Sequence, residues 1–312
     1  MKKFNEFREI FNKEVYAKVI DKKIIIGGYD LSGAFCSWFL SRAYGLEADF
    51  ILDNELCVYG LKIYRELYLK NLHPENYVGI VAGDRKYEEI LRRNGIETIV
   101  LEDVFGCEKF GFFEWLEHTY GCDLVKTIPR EEFDYDYSLA TNSGVSRQMG
   151  LMDVVNTLMT DYSTVLKNVL DIGCGKGGAI ELFLQNGWFR KVDGIELSKS
   201  ICDIARKNME LLGHDENSTT ITNVSATEYG KYADYDILYM YDPFRGEVFR
   251  KAMDRIETCL KGTGKIQMLV YANPYHHDDV VANGIFRLID TVDTDFFHRD
   301  VNIYIARDGV EW

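Results

Sequence analysis

The sequence predicts an α/β protein built from two doubly wound, largely parallel sheets. Short apolar runs that end in glycine-rich turns alternate with segments of helical period, first after residue 22 and again after residue 167. The chain of 312 residues is long enough for two domains, each with a core of its own. We place the boundary after residue 126, which gives domains of residues 1–126 and 127–312.

The N-terminal domain is predicted to begin with an amphipathic helix. Phe4, Phe7, Phe11 and Val15 recur at helical spacing with charged residues between them. This face either packs on its own domain, which we favour, or forms a contact with another domain or a second copy. The elements predicted after it are a strand, turn and helix over residues 22–44, strands over 48–53, 77–82 and 97–101, and a helix over 87–94.

The first glycine turn resembles a dinucleotide-binding turn in outline only. Gly28 and Gly33 match the outer glycines of the Rossmann fingerprint, but Asp30 stands at the central position, where the backbone normally approaches a pyrophosphate. A carboxylate there disfavours NAD. We therefore expect a Rossmann-like domain whose nucleotide site is altered or lost.

The second glycine turn follows an apolar strand and opens a helix. Gly173, Gly175 and Gly178 again satisfy G-x-G-x-x-G, which alone would suggest a dinucleotide. Asp171 stands two positions before the first glycine, and its carboxylate would repel a pyrophosphate but attract a cation. S-adenosylmethionine carries an ammonium and a sulfonium and no phosphate, so the turn favours that ligand.

Two further strand ends are expected to face the same crevice. Glu196 ends the next strand, 25 positions after Asp171, where an acid can accept both ribose hydroxyls of an adenosine. A third apolar strand ends in Asp242-Pro243-Phe244. Ligands of open α/β sheets lie beyond the carboxyl ends of the strands, which places Asp242 and Phe244 beside the glycine turn.

With these motifs, residues from about 130 to 312 resemble a class I S-adenosylmethionine-dependent methyltransferase. Asp171-Ile-Gly-Cys-Gly-Lys-Gly matches its first motif, Glu196 its ribose acid and Asp242-Pro-Phe its fourth motif. The resemblance implies a seven-stranded sheet, which strands at 266–271, 286–292 and 301–306 would complete. Ser225 stands where the family commonly has an acid near the adenine. The implied cofactor contacts are Asp171, Gly173, Cys174, Gly175, Glu196, Leu197, Ser225, Ala226 and Tyr241.

Residues up to about 105 resemble, more loosely, the Rossmann-like accessory domains of methyltransferases and other sugar-modifying enzymes from bacterial polysaccharide pathways. This resemblance is the reason to expect a small-molecule or sugar-derivative acceptor.

Methyl transfer needs an aligned nucleophile and the management of one proton, and it requires no metal. Asp242 is the leading catalytic candidate, either orienting an amine or acting as a base for a hydroxyl. His276 is the second candidate; the His276–Asp279 run could also be a metal site or simply a solvated helix start, which we favour. Tyr137, Phe244 and Tyr271 are candidate substrate contacts, with core or linker packing as the alternative.

Charge and cysteine usage narrow the class of protein. The net charge is −14, and residues 131–312 hold 18 basic and 29 acidic groups, which opposes binding to nucleic acid. Seven widely spaced cysteines without a C-x-x-C pair, together with the absence of a signal-peptide pattern or a long apolar run, favour a cytoplasmic protein with reduced thiols that binds no membrane. A homodimer is possible. The alternatives to a small-molecule methyltransferase are a binding module without catalysis, a protein methyltransferase and an NAD-dependent oxidoreductase.

Overall fold

The computed structural model describes residues 2–54, 61–133, 148–162, 167–185, 187–294 and 300–307. The chain divides into two compact units, residues 2–119 and the chain from residue 120 onward. Residues 120–126, which the predicted boundary assigns to the N-terminal domain, pack within the second unit. The boundary after residue 126 itself stays a prediction.

The first unit is a five-stranded parallel sheet with helices. Its helices are α1 (Lys2–Phe11), which continues through a π-turn at Asn12–Tyr16 into α2 (Ala17–Val19), then α3 (Leu31–Tyr44), α4 (Lys86–Arg93), α5 (Leu101–Phe105) and α6 (Phe112–Tyr120). Its strands are β1 (Lys23–Gly27), β2 (Phe50–Leu52), β3 (Ile63–Tyr64), β4 (Tyr77–Val81) and β5 (Glu97–Val100). The strand order is β3-β2-β1-β4-β5, and each neighbouring pair is parallel. The predicted α/β class is confirmed, and the short edge strand β3 was missed.

The amphipathic N-terminal helix packs on its own unit. Phe7 and Phe11 are fully buried. The Phe7 ring centroid lies 4.8 Å from that of Phe105 and 5.4 Å from that of Phe39, and Phe11 lies 4.9 Å from Phe39. These aromatic contacts bury the apolar face of the helix, so this face completes the hydrophobic core of the first unit.

Asp30 fills the centre of the first glycine turn. Its Oδ1 accepts hydrogen bonds from the backbone N–H groups of Ser32 and Gly33, both at 3.0 Å, and so caps the N-terminus of α3. A pyrophosphate bound here would need these same donors. The chain supplies its own anion where a dinucleotide would place a phosphate.

The second unit is a seven-stranded mixed sheet flanked by helices. Its helices are α7 (Gln148–Asp161), α8 (Gly178–Gln185), α9 (Lys199–Leu211), α10 (Gly246–Leu260) and α11 (His277–Ala282). Its strands are β6 (Lys167–Ile172), β7 (Phe189–Glu196), β8 (Ile221–Asn223), β9 (Ile237–Tyr241), β10 (Ile266–Ala272), β11 (Phe286–Val292) and β12 (Val301–Arg307). The described 3-10 turns of the chain are Glu66–Asn71, Pro74–Asn76, Arg130–Glu132 and Tyr232–Asp234.

The strand order of this sheet is β11-β12-β10-β9-β6-β7-β8. The five strands from β10 to β8 run parallel, and β12 pairs antiparallel with both β10 and β11. This confirms the predicted seven-stranded sheet with its closing antiparallel pair. Since β6, β7, β9 and β10 are parallel, their carboxyl ends lie at one edge of the sheet and bring four loops together there.

The core of the second unit holds this edge in place. Side chains of β6, β9 and β10 pack against one side of α10, whose Phe249 and Ile256 are fully buried. The apolar positions of α10 recur at helical spacing. The helix begins directly after the turn that follows β9, so its packing fixes the position of that turn.

Candidate active site

The glycine turn after β6 is locked to the neighbouring strand end. The backbone N–H groups of Gly173 and Cys174 both donate to the Ile195 carbonyl, at 2.9 and 3.0 Å. Gly173 has a φ of 76°, and a Cβ added to it would lie 2.4 Å from the Cβ of Pro243. Only glycine fits this backbone and this close approach. The first-motif turn and the turn after β9 are therefore in direct contact.

Glu196 is bound by both of its carboxylate oxygens. Oε2 accepts a hydrogen bond from the backbone N–H of Gly175 at 3.1 Å, and Oε1 accepts one from Ser198 at 3.0 Å. These bonds fix the carboxylate at the end of β7 and leave each oxygen further acceptor capacity. Leu197 beside it is 44% exposed, which is unusual for a large apolar side chain at a strand end. Both positions fit the predicted ribose and adenine contacts, which stay predictions.

Asp171 is a buried acid close to a second one. It is 3% exposed, and burial together with the nearby Glu196 charge raises its pKa to about 8. Two carboxylates in one buried place favour a proton or a cation between them. The same burial and the same two charges raise the pKa of the Cys174 thiol, which keeps that side chain neutral. The pair is the chemical feature that a cationic ligand would complement.

The predicted contacts after β8 are engaged in a turn. The Ser225 hydroxyl lies 2.8 Å from the Thr227 hydroxyl and accepts from the Thr227 N–H at 3.2 Å. The Ala226 carbonyl accepts from the Tyr232 hydroxyl at 2.7 Å. Beside them, Asn223 donates to the carbonyls of Glu196 and Leu197, so it ties this strand end to β7. Sequence reasoning missed Asn223.

Asp242 is held in a turn of left-handed backbone. Its φ is 39°, it is 5% exposed, and its Oδ2 accepts from Arg245 Nη2 at 2.6 Å. The Arg245 guanidinium also lies over the ring of Tyr275, 4.3 Å from its centroid. The hydrogen bond to Asp242 raises the pKa of the Arg245 guanidinium. Sequence reasoning missed the part played by Arg245 and Tyr275.

His276 is occupied at both ring nitrogens. Nε2 accepts from the backbone N–H of Gly246 at 3.3 Å, so the proton resides on Nδ1, which donates to Asp279 at 2.7 Å. The ring stacks on Phe249 with centroids 4.4 Å apart. This geometry fixes the start of α10 and leaves no free lone pair for a general base. The predicted catalytic role of His276 would require the bond to Gly246 to break.

His277 has the opposite tautomer. Asn302 Nδ2 donates to the Tyr304 hydroxyl at 2.8 Å, and that hydroxyl in turn donates to His277 Nδ1 at 2.8 Å. Asn302 Nδ2, which can only donate, also lies 3.3 Å from Nδ1, so Nδ1 is the acceptor and the ring proton lies on Nε2. The adjacent histidines thus present no pair of metal-binding lone pairs on one side.

The predicted substrate contacts differ in their burial and in their position relative to Asp242. Tyr241 and Phe244 are partly buried beside Asp242, and Phe244 lies 6.2 Å from the Phe249 ring. Tyr271 is fully buried and stacks on Phe249 at 5.5 Å, which is a packing position. Tyr137 lies outside the described residues.

Residues 123–126, about fifty positions before the glycine turn, are hydrogen-bonded to it. Lys176 is buried, and its ammonium donates to Asp123 and to the Lys126 carbonyl. Asn208 of α9 donates to the carbonyls of Asp123 and Lys176, at 2.7 and 2.9 Å. These bonds join residues 123–126 to the turn and to α9. They are long-range contacts that no local pattern indicates.

No group of three or more His, Cys, Asp or Glu side chains that could hold a metal occurs in the part of the chain that the structure describes. Its cysteines at 36, 107, 122, 174, 202 and 259 are free. Among the same described residues, no helix is long and apolar enough to cross a membrane.

Residues 169–264 match the family model for a methyltransferase domain. The matched segment contains the strand ends that carry Asp171, Glu196 and Asp242. This match agrees with the class of protein that the sequence predicted, since residues 169–264 are similar to a methyltransferase domain. No curated protein matches the chain.

Solved structures similar to the chain include three that contain S-adenosylmethionine. A variant of MtNAS is 17% identical over 52% of this chain and 62% of its own, with a TM-score of 0.42. Magnesium protoporphyrin IX methyltransferase from Synechocystis PCC 6803 is 20% identical over 52% and 79%, with a TM-score of 0.39. The glycopeptide N-methyltransferase MtfA is 14% identical over 50% and 93%, with a TM-score of 0.41. The chain thus spans less than two thirds of MtNAS, and the assignment rests on the family match and not on these likenesses.

Proposed function

We propose that the chain moves a methyl group from S-adenosylmethionine to an oxygen or nitrogen atom of a small molecule or sugar derivative. The observation that carries this proposal is the contact between Gly173 and Pro243, which sets the cofactor turn directly against the turn that bears Asp242. A methyl donor held at the first turn and an acceptor held at the second would be close enough to react. Proximity of this kind is the main requirement for methyl transfer.

The residues at the first turn suit the cofactor. Asp171 is a buried acid whose pKa is raised to about 8, so a neighbouring cation would stabilise its ionised form. Glu196 is fixed by two backbone bonds with acceptor capacity left for hydroxyls. The exposed Leu197 offers an apolar surface for a flat base. Bound S-adenosylmethionine supplies a methyl group on a positive sulfonium, which is activated for in-line displacement.

The chain's own residues then have two tasks. Asp171 and Glu196 bind and orient the donor, and Asp242 orients the acceptor through hydrogen bonds at the neighbouring strand end. The acidic balance of residues 131–312 favours a neutral or cationic acceptor over a polyanion.

The test is formation of S-adenosylhomocysteine, followed by mass spectrometry, with a panel of acceptors. The panel contains amino sugars, the matching neutral sugars, aromatic amines, phenols and a lysine- and arginine-rich peptide. Turnover of a small molecule that is lost in Asp242→Asn supports the proposal. Turnover of the peptide alone would indicate a protein methyltransferase, and tight cofactor binding without any turnover would favour a binding module.

A further inference from the structure

Two turns of the same form lie side by side at the carboxyl edge of the second sheet. Residues 242–244 read Asp-Pro-Phe after β9, and residues 273–275 read Asn-Pro-Tyr after β10. The last residues of these two strands pair in parallel register, so Asp242 and Asn273 follow neighbouring positions. They are also the non-glycine residues of the described chain with positive φ, 39° and 56°. Asp and Asn tolerate this backbone better than other side chains.

Asn273 is a buried amide that lacks a partner for its oxygen. The residue is 6% exposed, and its Oδ1 has no hydrogen-bond partner among the residues that the structure describes. A buried acceptor left without a donor is costly, and such groups are rare in native proteins. A ligand that donates a hydrogen bond here would remove that cost.

The same pair of turns already holds a cation. The Arg245 guanidinium donates to Asp242 at 2.6 Å from one turn and lies 4.3 Å from the Tyr275 ring centroid of the other. A carboxylate and an aromatic face together form a favourable environment for a positive group. Arg245 is about half exposed at its side chain, so it can move aside into solvent.

We propose that the two turns together bind the amino group of the acceptor, and that Asn273 selects a primary amine over a hydroxyl. This inference rests on the proposed function and deepens it. A primary amine donates one hydrogen to Asp242 and one to Asn273 and keeps its lone pair for the methyl group. A hydroxyl has only one hydrogen, so it can donate to Asp242 or to Asn273 but not to both.

The hydrogen bonding of the candidate bases agrees with an amine acceptor. A hydroxyl acceptor needs a base. Of the two candidates, His276 has its Nε2 lone pair bound by the Gly246 N–H, and Asp242 is bonded to the Arg245 guanidinium. A neutral amine needs no base to attack. The nitrogen lone pair forms the new bond to the methyl carbon, the carbon–sulfur bond breaks with its electrons on sulfur, and the extra proton of the product passes to water.

The test compares benzylamine with benzyl alcohol at a pH above the pKa of the benzylammonium ion, so that both probes are neutral and differ only in the group that the turns would bind. Binding of each to the full chain saturated with S-adenosylhomocysteine is measured by ligand-observed NMR. We expect benzylamine to bind at least about tenfold more tightly than the alcohol, the effect of one additional hydrogen bond to a charged group. Equal binding of the two probes, or no binding of the amine, would overturn the inference.

Two variants assign the preference to Asn273. Asn273→Gly keeps the left-handed backbone and should lose most of the preference, whereas Asn273→Asp keeps an acceptor oxygen at this position and should retain the preference. Asn283→Gly is the matched control, because Asn283 also has a buried amide oxygen without a partner in the described chain. A preference that survives in Asn273→Gly would overturn the assignment.

Binding of S-adenosylhomocysteine by itself distinguishes failure of the proposed function from failure of this inference. Failure of S-adenosylhomocysteine to bind the wild-type chain would contradict the proposed function and this inference with it. Normal cofactor binding with no amine preference would contradict the role of the two turns alone.

Discussion

At the scale of single residues, the site is defined by a buried acid, Asp171, that lies close to a second acid, Glu196. Asp171 is buried next to Glu196, and the free energy of holding two negative charges there raises the pKa of Asp171 to about 8. The apo protein therefore carries an acid that is protonated near neutral pH. A cation at the site reverses this preference, so protonation and cofactor binding are linked.

Asp171 should make the stability of the apo protein depend on pH. Its pKa is raised from 3.8 to about 8 on folding, so between these values the folded chain holds a proton that the unfolded chain has lost. The free energy of unfolding should fall as pH rises from about 4 to about 8, and this loss should be absent in Asp171→Asn. Urea unfolding of both proteins from pH 5 to pH 9 measures it. Parallel pH profiles for the two proteins would count against the raised pKa.

Cofactor binding should release protons. At pH 7 the apo protein holds the Asp171 proton, and a bound sulfonium and ammonium favour its loss, so we expect release of about one proton per S-adenosylmethionine. Calorimetric titration in two buffers of different ionisation enthalpy gives this number directly. Uptake of a proton, or a value near zero, would show that Asp171 is already ionised in the apo state.

At the scale of elements, the edge of the second sheet is assembled by turns in mutual contact. The first-motif turn lies against Pro243, and the turn after β9 is connected through Arg245 to the turn after β10. The start of α10 is held by His276 through the Gly246 N–H. Each turn is positioned by another, so a larger side chain in one turn should also displace the turns in contact with it.

Gly173→Ala should destabilise the chain more than Gly213→Ala. Both glycines have nearly the same φ, 76° and 75°, so both pay about 1–2 kcal/mol for a left-handed alanine. A Cβ on Gly213 meets nothing within 4 Å, whereas one on Gly173 would lie 2.4 Å from Pro243 Cβ. The overlap should add roughly 1–3 kcal/mol and weaken cofactor binding.

The measurement is urea unfolding of the two variants beside the wild type, with binding of S-adenosylhomocysteine to each. Gly213→Ala controls for the backbone conformation alone. Equal losses of stability would mean that the turn moves to accommodate the added Cβ with no further loss in the free energy of unfolding. The contact with Pro243 would then not position the turn.

Local patterns predicted the elements well because strands and helices have short periods. The strand ends that carry Asp171, Glu196 and Asp242 follow from apolar runs and glycine turns. The bonds of His276 to Gly246 and of Asn208 to Asp123 join residues 30 and 85 positions apart and leave no local signal. The positive φ at both Asp242 and Asn273 was also hidden, because a residue before proline normally favours extended backbone.

At the scale of the whole molecule, each unit contains five parallel strands and a glycine turn after the first of them, but the two turns differ in their chemistry. In the first unit Asp30 caps its own helix and occupies the donors that a pyrophosphate would use. In the second, Asp171 and Glu196 are buried acids at the carboxyl edge, where a cation would stabilise the ionised form of Asp171. Both turns therefore oppose a dinucleotide, and only the second suits a cationic adenosine ligand. The net charge of −14 acts in the same direction against polyanions.

The most direct test of this account is a calorimetric titration of the full chain with S-adenosylmethionine, S-adenosylhomocysteine and NADH, repeated with Asp171→Asn. We expect both adenosyl ligands to bind, NADH not to bind, and the variant to lose affinity, more for the sulfonium than for the neutral thioether. Binding of NADH in place of the adenosyl ligands would contradict the account and identify a glycine turn as a dinucleotide site.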